Sequence, residues 1–320
     1  MKPTQNIPII YKVYQLCIAL PLILIATIIT ALVTIIGGLF NAHVFGYYPG
    51  KIWSRFICRV LLLPIHVEGR ENIDYRQSYV FVANHQGPMD IFLIYGYLGC
   101  NFKWMMKKAL RKMPLVGYAC ERARHIFVDK SGPKAIKETI DRARATLQGG
   151  TSLVVFPEGS RTFTGHMGLF RKGAFLLADD LQLPVVPVTI DGSFDVLTRM
   201  AGVNFVHRTP MRLIIHKPIY PTSHSAEDIK QTMNESYQVI KATSRTTTSN
   251  KGCYQKNTQK IKTLVAQQEG VLPHLLRYYI YSNFELDKLQ IVEQTGYAES
   301  LSVCSTICSL RVFLYYITKK

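Results

Sequence analysis

The longest uncharged stretch of the chain lies near its beginning and most constrains how the chain can fold. From Val13 to Gly50 there is no lysine, arginine, aspartate or glutamate, and Leu16 to Phe40 is almost wholly apolar. About 20 apolar residues suffice to cross a bilayer as a helix. A usual signal peptide has a shorter apolar core and ends in a small-residue cleavage pattern, which is not found after this stretch. The stretch therefore predicts a membrane-associated helix rather than a buried core helix.

A second segment, Ile52 to Val67, mixes apolar and aromatic residues with nearby cations at Lys51, Arg55 and Arg59. Apolar residues on one side and basic residues on the other are typical of a helix lying in the membrane interface. Residues 1–67 are therefore predicted to form a membrane anchor. A proline and a Gly-Gly pair inside the first stretch leave open whether it spans the bilayer or stays in one leaflet. The flanking cations favour a cytoplasmic location for the domain after the anchor, by the positive-inside rule.

The middle of the chain alternates short apolar runs with helix-like stretches. The runs read as strands at 79–83, 125–128, 153–156 and 185–190, separated by helices predicted at 89–98, 134–148 and near 173–180. This alternation predicts an α/β domain over residues 68–242, with a mostly parallel sheet covered by helices on both faces. In such sheets, sites form beyond the carboxyl ends of the strands. A polar linker at 243–263 and an unassigned C-terminal extension at 264–320 are predicted after this domain.

The formal net charge of +17 requires partners of opposite charge. Nucleic acid, anionic lipid surfaces and phosphorylated substrates all fit that requirement. No helix, finger or sheet signature of nucleic-acid recognition occurs, so we expect no nucleic-acid partner. The seven cysteines are scattered without a C-x-x-C pair. This spacing disfavours a disulfide framework and a metal site.

The first motif that carries chemistry is the segment 84–90, Asn-His-Gln-Gly-Pro-Met-Asp, directly after a predicted strand. The turn made by Gly87 and Pro88 lets Asp90 meet one nitrogen of the His85 ring. That contact would fix the tautomer and stabilise the imidazolium, leaving the other nitrogen free to take a proton. Taken alone, a histidine and an aspartate five residues apart are a weak signal.

The second motif is the segment 156–162, Phe-Pro-Glu-Gly-Ser-Arg-Thr, directly after another predicted buried strand. Gly159 permits a tight turn or a close approach to a ligand. Arg161 offers a fork of donors suited to a phosphate, and hydroxyl groups flank it. Arg171 and a neighbouring lysine lie at the start of the next helix, where backbone N–H groups also favour an anion. An ion pair of Glu158 with Arg161 that merely braces the turn is the alternative.

Between the motifs lies a basic run with interleaved aromatic and apolar residues; its cations are Lys103, Lys107, Lys108, Arg111 and Lys112. Such a run suits anionic lipid headgroups or the phosphates of a coenzyme A or carrier-protein donor. A solvated basic face explains it equally well.

With both motifs and the basic run in order, the chain resembles the glycerolipid acyltransferase family over roughly Ile52 to Tyr220. That family carries N-H-x-x-x-x-D and F-P-E-G-[ST]-R-[ST], matched here by 84–90 and 156–162. A later V-P-V strand is matched at 186–188. The family's G-x-x-F-[IV]-x-R block aligns with 124–130, where Arg124 stands in the glycine position and Lys130 replaces the arginine.

The resemblance implies acyl transfer from acyl-CoA or an acyl-carrier protein to the free sn-2 hydroxyl of lysophosphatidic acid, within membrane phospholipid synthesis. His85 would be the base and Asp90 its orienting partner, without any cofactor or metal. The acceptor's phosphate would be bound by the second motif and nearby cations, namely Glu158, Gly159, Ser160, Arg161, Lys130 and Arg171. The same chemistry on another acceptor, such as glycerol-3-phosphate or another lysolipid, stays open. A non-catalytic basic module is the alternative of a different class, but it leaves the two strand-end motifs unexplained.

Overall fold

The computed structural model describes residues 7–129, 132–147, 150–162, 165–197 and 204–244. The predicted extension at 264–320 lies outside these residues, as does the predicted linker beyond its first two positions. Lys130 also lies outside them. The predictions made for these parts of the chain therefore stay predictions.

Seven strands form one sheet in the order β1-β7-β6-β2-β5-β3-β4. The strands are β1 Ile65–Glu68, β2 Val80–Ala83, β3 Phe102–Lys107, β4 Ile126–Val128, β5 Ser152–Val155, β6 Val185–Asp191 and β7 Met211–Ile215. All neighbouring pairs run parallel except β6 and β7, which pair antiparallel. The predicted mostly parallel sheet is confirmed.

Helices cover both faces of this sheet, as predicted. They are α1 Ile9–Tyr14, α2 Leu20–Phe40, α3 Ala42–Phe45, α4 Tyr48–Val60, α5 Met89–Tyr97, α6 Val116–Arg122, α7 Pro133–Thr146, α8 Gly173–Asp180, α9 Ser193–Val196 and α10 Ala226–Thr243. One apolar core lies between the sheet and α4 and α5. The other lies between the opposite face and α7, α8 and α10. The parallel strands therefore have both faces buried, which explains their continuous Val, Ile and Leu composition.

The structure differs from the sequence prediction in two segments. The interface helix predicted for Ile52 to Val67 ends at Val60, and its last residues belong to β1, which pairs with β7. The sheet thus begins three residues before the predicted boundary at 68. The basic run is not one surface: Lys103 lies within β3, is only 2% exposed and donates to the carbonyl of Ala42 at 3.4 Å. Lys107, Lys108, Arg111 and Lys112 are exposed.

The apolar N-terminal stretch forms one continuous helix from Ile9 to Phe40, in which a π-helical segment, Gln15–Ala19, joins α1 to α2. Within the described part of the chain it is the one helix whose length and composition suit a membrane. One side of the helix packs on the α/β domain. The other side is apolar and exposed, at Ile25, Ile29, Ile36, Leu39 and others. This exposed apolar side suggests association with a membrane.

Candidate active site

The end of β2 is fixed to β6 by a side-chain amide. Asn84, the residue after β2, donates to the carbonyl of Ile190 and accepts from its N–H, both at 2.8 Å. One side chain thus satisfies both backbone groups of a β6 residue, as a neighbouring strand would. The position of His85, the next residue, depends on this anchor.

Asp90 and His85 meet across the turn that opens α5. Nδ1 of His85 lies 2.7 Å from Oδ2 of Asp90. The same oxygen accepts the backbone N–H groups of Gln86 at 2.6 Å and Gly87 at 2.9 Å. Asp90 is fully buried, whereas the His85 side chain keeps 14% of its surface exposed. Three donors therefore converge on one oxygen and stabilise a buried carboxylate beside the ring.

The plane of the His85 ring is set by aromatic stacking. The ring stacks on Phe156 with centroids 3.9 Å apart and planes 9° apart, and Phe156 stacks in turn on Trp104 at 5.6 Å. Among the described residues, Nε2 of His85 takes no hydrogen bond. With Nδ1 engaged by Asp90 and the ring face covered, Nε2 is the position at which the ring can exchange a proton with a ligand.

Glu158 braces the site instead of pointing out of it. Its Oε1 accepts the N–H of His85 and its Oε2 accepts the N–H of Gly168, each at 2.6 Å. Burial raises the pKa of Glu158 to about 7, although both N–H groups act to lower it. Both oxygens of this carboxylate accept backbone N–H groups, so the structure gives Glu158 a positioning role. The substrate contact predicted for it stays a prediction.

The rest of the second motif lies beside the His85 turn. The N–H of Thr162 donates to the carbonyl of His85 at 3.0 Å. Gly159 has a φ of 77°, and a Cβ atom there would lie 3.2 Å from the guanidinium carbon of Arg171. The positive φ therefore favours glycine at this position. Ser160 and Arg171 are exposed and Arg161 is half-buried. All three follow β5, which pairs in parallel with β2, the strand that ends at the dyad.

Two backbone features were not predicted from the sequence. Gly87 packs against α9, because a Cβ atom there would lie 3.1 Å from Oγ of Ser193 and 3.2 Å from its carbonyl oxygen. The close approach joins segments about 100 residues apart, and the glycine itself was the one available signal. Arg124 adopts a φ of 59°, in the left-handed region. This explains physically why the family pattern has glycine at that position.

The dyad at a strand end of a mostly parallel sheet defines a site suited to acid–base chemistry. Residues 64–191 match the family model described as Acyltransferase. Residues 64–191 therefore resemble an acyltransferase domain, as the sequence motifs predicted.

Several relatives are similar to this chain over about half of its length. The chain is 32% identical over 178 residues to a chloroplastic 1-acyl-sn-glycerol-3-phosphate acyltransferase of Arabidopsis thaliana. That alignment covers 55% of this chain and 49% of the relative. It is 29% identical over 195 residues to the enzyme of the same name from Saccharomyces cerevisiae, with 60% and 62% covered. A solved structure similar to this chain is the crystal structure of a 1-acyl-sn-glycerophosphate acyltransferase from Thermotoga maritima, with 25% sequence identity and a TM-score of 0.49. The superposition covers 67% of this chain and 94% of that one. The chain spans about half the length of the plant relatives it matches.

Proposed function

We propose that the protein transfers an acyl group from a thioester to the sn-2 hydroxyl of lysophosphatidic acid, giving phosphatidic acid. The observation that carries the proposal is the dyad, in which Asp90 holds Nδ1 of His85 at 2.7 Å and leaves Nε2 open. The acceptor class is inferred from the cations beside it, Arg161 and Arg171, and from the names of the relatives. These features together favour an acyl transfer to a phosphate-bearing hydroxyl compound.

In the proposed reaction, Nε2 of His85 removes the proton from the acceptor hydroxyl as its oxygen attacks the thioester carbonyl. The tetrahedral intermediate collapses by breaking the carbon–sulfur bond. The imidazolium then returns the proton to the departing thiolate, so the products are an ester and a free thiol. Because the thioester is already activated, attack is direct and needs no acyl-enzyme intermediate.

Asp90 supports this step through charge and orientation. Its buried carboxylate accepts a hydrogen bond from Nδ1 and so favours the protonated ring during the transfer. The two backbone N–H groups on the same oxygen hold the carboxylate in place before substrate arrives. Stacking on Phe156 limits rotation of the ring. The base is thereby preorganised, which lowers the cost of reaching the transition state.

The acceptor's phosphate is proposed to bind between Arg161 and Arg171, with the hydroxyl of Ser160 as a further donor. Guanidinium groups pair with phosphate oxygens through two parallel hydrogen bonds. Gly159 leaves room for the guanidinium group of Arg171, whose carbon would lie 3.2 Å from a Cβ atom at this position. Lys130 is proposed to contribute from the adjacent block. The donor is acyl-CoA or an acyl-carrier-protein thioester, acting as co-substrate with no cofactor beyond it.

We further propose that the N-terminal helix lies in one leaflet and does not span the bilayer. The hydroxyl of Tyr11 donates to the carbonyl of Leu61 at 2.6 Å, and Gly38, near the other end, lies against the backbone of Arg122. These contacts are roughly 40 Å apart along a helix that rises 1.5 Å per residue. The apolar core of a bilayer is only about 30 Å thick. A helix that contacts its domain over this length lies along the membrane surface. The cations that flank the helix favour the cytoplasmic side for the domain.

The test is acyl transfer by the purified protein in lipid vesicles, measured as release of free thiol. Lysophosphatidic acid, glycerol-3-phosphate and lysophosphatidylcholine are offered in turn with one acyl donor, first as the coenzyme A thioester and then on a carrier protein. We expect thiol release with lysophosphatidic acid. Release with another acceptor alone would assign the chemistry to that acceptor, and no release with any pair would refute the proposed function.

A further inference from the structure

Gln15 makes an unusual contact for a side chain on an apolar helix. It lies at the start of the π-helical segment and is 7% exposed, whereas Leu16 next to it is 56% exposed. Its Nε2 donates to the carbonyl of Val206 at 2.9 Å, and its Oε1 accepts the N–H of Val206 at 2.8 Å. The amide thus pairs with both backbone groups of one residue. Short π-helical segments often mark functional positions, because the extra residue redirects a side chain.

Val206 belongs to the connection between β6 and β7, which also contains α9. The next residue, His207, donates its N–H to the carbonyl of Val196 in α9 at 2.8 Å. The first residue of α9, Ser193, packs against Gly87. Gly87 donates its N–H to Asp90 at 2.9 Å. A chain of direct contacts therefore runs from the membrane helix to the carboxylate of the dyad.

We propose that Gln15 is a positioning residue that couples docking of the N-terminal helix to the geometry of the catalytic turn. When the helix is docked, the amide fixes Val206, and the α9 connection supports Gly87 and through it Asp90. When the amide is lost, the N–H and carbonyl of Val206 lose their partners and this support weakens. The kinetic part of the inference rests on the proposed function, whereas its structural part does not.

Gln15→Leu tests the proposal, because leucine keeps the size and apolar surface of the side chain but removes both hydrogen bonds. Thr27→Val is the matched control. The Thr27 hydroxyl accepts from Nε1 of Trp53 at 3.0 Å and so also fastens the helix, at a place remote from the α9 connection. The measurements are amide hydrogen exchange over 85–90 and 204–209, kcat and KM for acyl transfer, and the fraction of protein bound to vesicles.

For Gln15→Leu we expect faster exchange in both segments and a fall in kcat of about tenfold, the factor that matches the loss of one or two ordinary hydrogen bonds. The acceptor KM and vesicle binding should stay within roughly twofold of wild type, since neither uses this contact. Thr27→Val should leave exchange at 85–90 and kcat unchanged. Unchanged exchange at 85–90 in Gln15→Leu would overturn the proposal, as would equal losses in Thr27→Val.

A second variant decides the matter if Gln15→Leu does not fold. Gln15→Met keeps the length of the glutamine side chain and, like leucine, removes both hydrogen bonds to Val206, so we expect changes of the same kind. Wild-type exchange rates at 85–90 in this variant would overturn the proposal. If wild type itself transfers no acyl group, the proposed function fails, and the exchange experiment still tests the coupling.

Discussion

Replacing Asp90 by asparagine separates the charge of this side chain from its hydrogen bonds. In the structure a single oxygen, Oδ2, accepts His85 Nδ1 and two backbone N–H groups. An asparagine with its carbonyl oxygen in that place keeps all three hydrogen bonds. The reversed amide would point its NH₂ group at the two N–H donors, at a cost of about 1–3 kcal/mol for each unmade bond. The tautomer of His85 should therefore be preserved, and the substitution should chiefly remove the charge.

The expected loss depends on the strength of that charge. A hydrogen bond to a charged group contributes about 1.5–3 kcal/mol against about 1 for a neutral one. Unit charges about 4 Å apart interact by about 4 kcal/mol at an effective dielectric constant of 20. A loss of about 2–3 kcal/mol in transition-state stabilisation corresponds to a decrease of about 30- to 150-fold in the rate of the chemical step. A reversed tautomer would cost far more, on the order of 10⁴ in comparable histidine–aspartate pairs.

Single-turnover acyl transfer with excess protein measures this step directly. Asp179→Asn is the matched control, because Asp179 pairs with His224 at 2.9 Å on the surface, beside the loop that leads into β6. The single-turnover rate of Asp179→Asn should equal that of wild type. A loss near 10⁴ in Asp90→Asn would show that the amide reverses, and a loss below about threefold would show that the charge is not used. Either result would refute the reasoning.

Three other residues, Glu158, Arg161 and Arg124, each give a testable prediction. Because burial raises the folded-state pKa of Glu158 to about 7 from 4.5, wild type should gain up to about 3 kcal/mol in unfolding free energy as the pH falls from 7 to 4.5. Glu158→Gln should lack this gain. A difference in unfolding free energy between wild type and Glu158→Gln that does not change with pH would contradict the prediction. Arg161→Ala should chiefly raise the acceptor KM, with Arg144→Ala as a surface control; an unchanged KM would exclude a phosphate contact. The unfolding free energy of Arg124→Gly should exceed that of Arg124→Ala by about 1 kcal/mol, because glycine adopts a positive φ without strain. Equal melting temperatures of the two variants would refute this prediction.

The fold and the dyad could be predicted because their signals are local. Continuous apolar strands separated by amphipathic helices specify a parallel sheet, and the segment from His85 to Asp90 contains both partners and the turn between them. The strand β3 escaped prediction because Lys103 and Lys107 interrupt its apolar pattern. Lys103 is buried beneath the helical layer, with its ammonium group at the carbonyl of Ala42. Such a contact depends on residues about 60 positions away.

The contacts that hold the dyad in place could not be predicted for the same reason. Asn84 pairs with Ile190, Glu158 joins the backbone of His85, and Gln15 reaches Val206. Each of these contacts joins segments more than 70 residues apart, and no periodicity or spacing in the sequence predicts such contacts. For Glu158 the motif indicated a functional position but not the role, since a carboxylate beside an arginine suggests an ion pair or a ligand. Only the structure shows that both of its oxygens accept backbone N–H groups.

The most direct test of the account is thiol release by His85→Ala in vesicles containing lysophosphatidic acid and an acyl thioester. We expect wild type to release thiol only when the acceptor is present, and His85→Ala to lose at least about 10³ in kcat while its acceptor KM changes little. His224→Ala, which removes a surface histidine that also pairs with an aspartate, should keep full activity. Retention of most of the wild-type rate by a folded His85→Ala protein would contradict the assignment of His85 as the base.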